Sequence, residues 1–478
     1  MPPLRRAPEL RREYERLLSV VLVLVVLGAI WVYSASSSEQ ILQGGGDGTS
    51  FLIRYVMFGA IGFAVLAAAS RAGVATLRRL TLPMLAVALV LCMAVVVPGV
   101  GRQVNGAYRW LGTGAVGFQP SELAKFSMVA FLALTLSQRK RPMVEFRDAL
   151  PYLAVLGVFV MIVAGLQRDL GTAIVIAGAS LCVMVAYGMP LRFFMPLGGI
   201  AGAGLLVLVL MQPYRMARLT NFLSPWSDAA GTGYQATQGQ IAIGSGGFFG
   251  NGLGNSVQKA EWLPEAHTDF ILAVVGEELG AIGVLMLLFL YGAVAYLGLR
   301  IADRTKGTYQ KLLAIGITGV IVCQALLNVW VVLGIFPLTG VPLPFISYGS
   351  TNLVVLLAGI GVLLNIARGT PYVETAADAP DPGGRGSRRR RRPARPKPKP
   401  APRRRPRPVA PRPAPTTPSF ASARELVRGG HLRLVEEDAR DGAHTSRSAR
   451  DGADDRDRSR RDRGARGARA GGRRRAAG

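Results

Sequence analysis

The chain has 478 residues, is 50% apolar and carries a formal net charge of +27, a combination that excludes an ordinary string of soluble domains. Its length alone would allow about three such domains, but apolar runs near the ~20 residues needed to cross a bilayer recur along most of it. Cys92, Cys182 and Cys323 all fall inside those runs; with neither a disulfide framework nor metal-ligand spacing in view, they read as small buried hydrophobes.

Met1 to Arg16 carries five arginines and leads into the apolar run Leu17 to Tyr33. That pattern also suits a secretory signal peptide, but the run is long and is followed at once by Phe51 to Ala69, so it reads as a retained first helix. Further spans are expected at Leu80 to Val97, Leu123 to Leu136, Ala149 to Leu166, Leu170 to Tyr187, Phe193 to Met211, Phe270 to Leu299, Leu312 to Ile335 and Leu353 to Ala367. The predicted fold is therefore an all-α polytopic membrane protein of about ten transmembrane helices over residues 17–369, with residues 1–16 as a cytoplasmic segment.

The loops Arg71 to Arg79, Gln138 to Arg147, Met189 to Arg192 and Arg300 to Lys311 fall on one side, and all contain arginine. By the positive-inside bias that side is cytoplasmic, as are both termini. The other face receives Ser34 to Ser50, Pro98 to Ser121, Gln167 to Asp169, a large loop at about 212–269 between helices seven and eight, and Phe336 to Ser350. Nearly all motif-like residues lie there.

Residues 370–478 form a tail rich in Arg and Pro; from 371 onward it holds 30 Lys and Arg against 13 Asp and Glu, a net of +17. Such a segment cannot bury a core and is expected to be disordered, with extended polyproline II character in its proline-rich part. Phe420 to Val435 is a small apolar island suited to a short helix on a partner. No aromatic residues interleave the arginines as nucleic-acid stacking would require, and a basic tail beside a membrane more often meets anionic lipid or acidic proteins.

The longest polar interruption is Gly231 to Gly280, which reads as the place where chemistry happens. Its first part is dense in glycine (Gly244, Gly246, Gly247, Gly250, Gly252, Gly254), so its backbone can approach a ligand closely. Its second part sets Lys259, Glu261, Glu265, His267 and Asp269 within eleven positions, directly before the apolar run from Phe270. One His between two carboxylates is weak evidence for a transition metal. An oxygen-liganded Mg2+ or Mn2+ carried partly by substrate phosphates stays open, and no nucleotide or organic cofactor is expected.

Gly112 to Gly117 fits the G-x-G-x-x-G dinucleotide pattern, but it lacks the strand, helix and acidic residue that the fingerprint needs. Around it, NGAYRWLGTGAVGFQPSELAK brings Arg109, Trp110, Gln119, Ser121, Glu122 and Lys125 to the mouth of the fourth span. An interfacial Trp and a proline-started helix explain part of this. Glu122, just inside a membrane helix, would need Lys125 or an arginine as its partner. Gln167, Arg168 and Asp169 form a polar knot in a tight hairpin, where Asp also suits a turn. FPLTGVPLPFISYGSTN, at 336–352, is a broken segment that would serve a transporter near its binding site or wall an enzyme's substrate cavity.

Taken together, RWLGTGAVGFQPSELAK (109–125), QRDLGTA (167–173), GYQATQGQIAIGSGGFFGNGLGNSVQK (233–259), LPEAHTDFILAVVGEELG (263–280) and FPLTGVPLPFISYGS (336–350) resemble the SEDS family, the FtsW, RodA and SpoVE group of bacterial cell-wall synthesis, over about Leu17 to Arg368. Arg168 departs from the family's QPD, where proline is expected. LPEAHTDF with GEELG is closer to the FtsW branch than to RodA.

The resemblance implies a ten-helix peptidoglycan glycosyltransferase of the bacterial plasma membrane. Such a protein polymerises lipid II, the undecaprenyl-pyrophosphate-linked disaccharide pentapeptide, at the division septum beside a class B penicillin-binding protein and other divisome proteins. Forming a β-1,4 bond from an α-linked sugar pyrophosphate inverts the anomeric carbon and needs one base for the acceptor hydroxyl; Asp269, the Asp of HTDF, is that candidate. Arg109, Lys125, Arg215, Arg218 and Lys259 are candidate cations for the leaving pyrophosphate. Trp110, Gln119, Ser121, Glu122, Asp169, Glu265 and His267 are further candidates for substrate contact. A lipid II flippase and a scaffold that recruits the transpeptidase are the rival classes.

Overall fold

The computed structural model describes residues 8–369 except 43, 45–46, 105, 113–116, 140–142, 144, 196–197, 200–201, 205–215, 217–221, 232 and 261. Most of the seventh expected span, the tail 370–478, Arg215 and Arg218 lie outside the described residues.

Helices follow from the apolar runs. α1 (Pro8–Leu42), α2 (Ser50–Ala72), α3 (Val74–Ala94), α4 (Pro120–Ser137), α5 (Phe146–Val160, continued by a π-helical turn Met161–Leu166) and α6 (Leu170–Tyr187) make the first half. A short helix α7 (Tyr234–Gly246) precedes α8 (Ile271–Arg304), α9 (Thr308–Val332) and α10 (Ser350–Ala367). Among the described residues, eight helices are long and apolar enough to cross a membrane. α4 is a further helix of 18 residues at the expected fourth span, carrying Glu122 and Lys125 inside the bundle. α9 and α10 are the most enclosed, and α10 packs chiefly on α2 while α9 packs on α4, α6 and α8. The outer helices turn apolar side chains outward, Ile53 at 62% and Phe289 at 74% exposure, as lipid-facing surfaces do.

The all-helical expectation needs one amendment. Gly101–Val104 (β1) and Ala107–Leu111 (β2) form an antiparallel hairpin, and Leu111 pairs back with Phe118 through two backbone bonds of 2.8 Å. The G-x-G-x-x-G match lies between those two residues in the sequence, and its residues 113–116 are outside the described ones.

Two irregular features shape the face that carries the loops. First, α8 is broken at Gly280 (φ 66°, ψ −160°), where no other residue type would sit without strain. A break in a buried helix exposes backbone groups that need partners, and the glycine-rich loop supplies them. Asn251 N and Gly252 N donate to the carbonyls of Glu277 and Glu278 (3.0 and 2.9 Å), and Ala281 N donates to Gly247 O (3.0 Å). The close approach that Gly246 and Gly250 permit is therefore made to α8's own backbone.

Second, the chain between α9 and α10 drops into the bundle without forming a helix: Val341, Leu343, Phe345 and Ile346 are all buried. Non-helical backbone at such a place must have its carbonyls satisfied by side chains. Four donors from four positions do so. Asn328 serves Val341 O (2.8 Å), Gln324 serves Pro342 O (2.9 Å), and the hydroxyls of Tyr291 and Tyr55 serve Pro344 O and Phe345 O. Phe345 holds a positive φ of 63° under that clamp.

Candidate functional site

The site is built where this re-entrant segment meets the ends of α4, α6 and α8. The π-helical turn at the end of α5 redirects the chain so that Gln167 turns inward, its amide donating to Cys92 O at 2.8 Å. Asp169 then caps α6: its carboxylate accepts from Thr172 N at 3.1 Å and from Gln119 Nε2 at 3.0 Å. Gln119 precedes Pro120, which starts α4, and its own N–H reaches Thr351 Oγ1 on α10 at 3.2 Å. Thus the motifs at 109–125 and 167–173 and the start of α10 are one hydrogen-bonded unit.

Asp269 lies one residue before the N-cap of α8, so the positive end of the helix favours a negative charge there. It is half-buried. Its backbone carbonyl accepts from Asn328 Nδ2 at 2.7 Å, and the Thr268 hydroxyl lies 3.2 Å from Oδ1. Gly340 faces this carboxylate: a Cβ there would lie 3.8 Å from Asp269 Oδ2. On the other side of the same segment, a Cβ on Gly171 would meet Thr339 and Val341. Thr339 to Val341 therefore runs between the turn that carries Asp169 and the turn that carries Asp269. His267 packs at a tilt against Phe51 (ring centroids 4.3 Å apart, planes at 43°) and lies 5.9 Å from the Tyr348 ring, and Tyr348 N donates to its carbonyl at 2.9 Å. Glu265 is exposed and accepts from the Thr268 hydroxyl at 2.9 Å.

The expected cations separate. Lys125 is buried at 1% exposure, 2.8 Å from Glu122 Oε2 and donating to Gln324 Oε1 at 2.6 Å; Glu122 has the partner its position demanded. Lys259 is likewise buried, donating to Glu278 Oε1 (2.9 Å), to Gly254 O (2.7 Å) and to Ser34 Oγ on α1 (3.0 Å). Both lysines hold the fold together in this geometry. Breaking either buried pair by removing one partner would cost about 3–5 kcal/mol. Arg109, half-buried on β2, donates Nε to Gln167 O (3.4 Å) and Nη2 to Arg168 O (2.5 Å), which ties the hairpin to the α5–α6 turn. Trp110 lies against Gly117, and Ser121 is buried in the first turn of α4.

Several members of this arrangement were not singled out from sequence. Gln324 and Asn328 share one face of α9 at i, i+4 spacing, and polar amides inside a membrane span were the signal available. Glu277 accepts from the Ser256 hydroxyl and from Val257 N at 2.9 Å, so GEELG fastens the loop from Ser256 to Lys259 rather than facing substrate. Among the described residues, no group of three or more His, Cys, Asp and Glu is close enough to hold a metal ion.

A family model described as cell cycle protein, for the FtsW, RodA and SpoVE group, matches residues 15–372. The chain belongs to this family. It is 36% identical over 351 residues to the probable peptidoglycan glycosyltransferase FtsW of Geobacter sp. (strain M18), across 73% of this chain and 95% of that relative. It is 38% identical over 358 residues to stage V sporulation protein E of Bacillus subtilis (strain 168), across 74% and 97%. Among solved structures it resembles a chain of a peptidoglycan synthase complex, in which polymerization and crosslinking are structurally coordinated (TM-score 0.59, 29% identity, 74% of this chain and 96% of that one). It also resembles the rod shape determining protein RodA of Thermus thermophilus (TM-score 0.55, 28% identity, 74% and 95%). Against the family's QPD motif, Arg168 has φ 57°, which proline, fixed near −65°, cannot adopt. The turn here is therefore locally different, with the Arg168 guanidinium reaching Gly106 O on the hairpin at 3.3 Å.

Proposed function

We propose that this chain is a division-type peptidoglycan glycosyltransferase that polymerises lipid II with Asp269 as the general base. The observation that carries this reading is that the Thr339–Val341 segment lies between two turns distant in sequence, those of Asp169 and Asp269, with Gln119 of a third motif bound to Asp169. An ordinary aspartate is ionised at neutral pH, and Asp269 stands on the same loop-bearing face as Arg109. The reading makes that face external and both termini cytoplasmic.

In the reaction, the acceptor sugar hydroxyl attacks the donor's anomeric carbon from the side opposite the pyrophosphate. Asp269 takes the hydroxyl proton as the new bond forms, and the bond to the undecaprenyl pyrophosphate breaks with its electron pair leaving on the phosphate oxygen. Charge grows on that oxygen and calls for cations. Arg109 suits that role among the described residues, and Arg215 and Arg218, outside them, stay candidates by sequence. A Mg2+ or Mn2+ ion, for which the described residues offer no group of three or more His, Cys, Asp and Glu, would rest mainly on the phosphates of the substrate. Gln119, His267 and Glu265 border the same face and are candidate contacts for the sugars and peptide. A class B penicillin-binding protein is the expected partner, at the septum.

The test is to purify the chain with its transpeptidase partner and supply labelled lipid II, with and without divalent metal. A ladder of glycan strands that persists in moenomycin supports the polymerase. Absence of a ladder from a folded complex, with lipid II crossing sealed vesicles, would transfer the reading to a flippase. Deleting residues 371–478 should leave that ladder unchanged in detergent while altering localisation in cells, because the tail is assigned to anionic lipid and divisome proteins. Loss of the ladder on deletion would contradict this division of labour.

A further inference from the structure

Four side chains satisfy the carbonyls of the buried segment between α9 and α10, and Asn328 differs from the other three. Tyr55, Tyr291 and Gln324 make no bond to the segment that carries Asp269. Asn328 Nδ2 uses its two hydrogens on two elements, Val341 O at 2.8 Å and Asp269 O at 2.7 Å. The side chain is 1% exposed and grows from the middle of a buried helix turn. Two carbonyl acceptors on one side fix which end of the amide faces them, since an oxygen there would repel both. Its own Oδ1 is buried with no partner among the described residues, a desolvation cost that an apolar side chain would not carry.

We infer that Asn328 is a positioning residue for the glycosyl transfer. It ties the backbone of Asp269 to Val341, and so sets the distance between the base and the segment against which the acceptor hydroxyl must lie. The inference rests on Asp269 being the base. It gives a physical reason for a polar amide at this depth, and it separates two roles that the hydrogen-bond geometry alone combines: satisfying a loop carbonyl and aiming a carboxylate. Displacement of a reacting group by about 1 Å lowers turnover on the order of 100-fold, whereas loss of one loop hydrogen bond affects mainly stability.

The experiment uses the full chain with its transpeptidase partner in nanodiscs and follows polymerisation of labelled lipid II. The variants are Asn328→Leu, Tyr291→Phe and Asp269→Asn. Tyr291→Phe removes one loop donor without touching the Asp269 segment, and should keep kcat within about twofold because only a single modest bond is lost. Asn328→Leu should lower kcat by about 10- to 100-fold with an unchanged KM for lipid II, in a folded protein whose melting midpoint lies below that of Tyr291→Phe because two carbonyls rather than one lose their donor. If Asn328→Leu is not recovered folded, Asn328→Ser, which keeps one donor on a shorter arm, should show an intermediate fall in kcat with KM unchanged. Equal kcat in the Asn328 and Tyr291 variants, or a loss carried by KM, would overturn the inference while an inactive Asp269→Asn leaves the base in place. Parent-level turnover in Asp269→Asn would overturn the base and the positioning role together.

Discussion

Asp269→Asn should abolish glycan polymerisation while leaving the protein folded and bound to its transpeptidase. A general base typically contributes 10²- to 10⁴-fold to a rate, so product from the variant should fall at least about 100-fold in single-time-point gels and further in initial rates. The tie from its backbone carbonyl to Asn328 is one that asparagine keeps, and the new side chain is nearly the same size. The melting midpoint and co-purification with the partner should therefore match the parent, and that pairing distinguishes a chemical role from a structural one. The other carboxylates at this face behave differently. Asp169 caps α6 and receives Gln119, so Asp169→Ala should lose about 1 kcal/mol of cap energy along with any activity. Glu122 neutralises Lys125 inside the bundle, and its removal should destabilise before it informs on chemistry. Full activity in Asp269→Asn would move the base to one of these two and remove the central assignment.

The helical spans were legible because lipid imposes length and composition on them, and the motif residues were legible because polar groups gathered at one set of span ends. Glu122 and Lys125 paired as their i, i+3 spacing suggested. What sequence could not supply was the destination of each polar group. Lys259 looked like a free cation beside Asp269, yet its partner Glu278 lies 19 residues away and its second contact, Ser34, lies 225 away on α1. Asn328 and Gln324 were hidden inside an apolar run because one amide per helical turn hardly lowers hydropathy. The break at Gly280 was also concealed: apolar runs continue on both sides of Glu277–Gly280, and only the loop lying across the break reveals it.

Gly250→Ala should disrupt the loop-bearing face, and comparison with Gly254→Ala shows why. Both glycines hold a positive φ, 81° and 83°, so both substitutions carry the same left-handed penalty of about 1 kcal/mol. Their surroundings differ. A Cβ on Gly254 meets nothing within 4 Å, whereas one on Gly250 would lie 2.1 Å from Glu278 O and 2.4 Å from its carbonyl carbon. Those atoms belong to the backbone of a buried helix and cannot swing aside, so the loop must lift away. Lifting breaks the bonds from Asn251 and Gly252 to the Glu277 and Glu278 carbonyls, and leaves the broken end of α8 with unpaired buried groups at about 1–3 kcal/mol each. The same displacement strains the Lys259–Glu278 pair, which is 5% and 0% exposed. A total loss of roughly 3–5 kcal/mol is expected, seen as a much lower melting midpoint, protease cleavage near residues 247–254 and no glycan ladder. Gly254→Ala should lower the midpoint only slightly and keep the ladder. If the two variants melted alike, the glycine requirement would be one of φ alone, and the loop would not be what closes the break in α8.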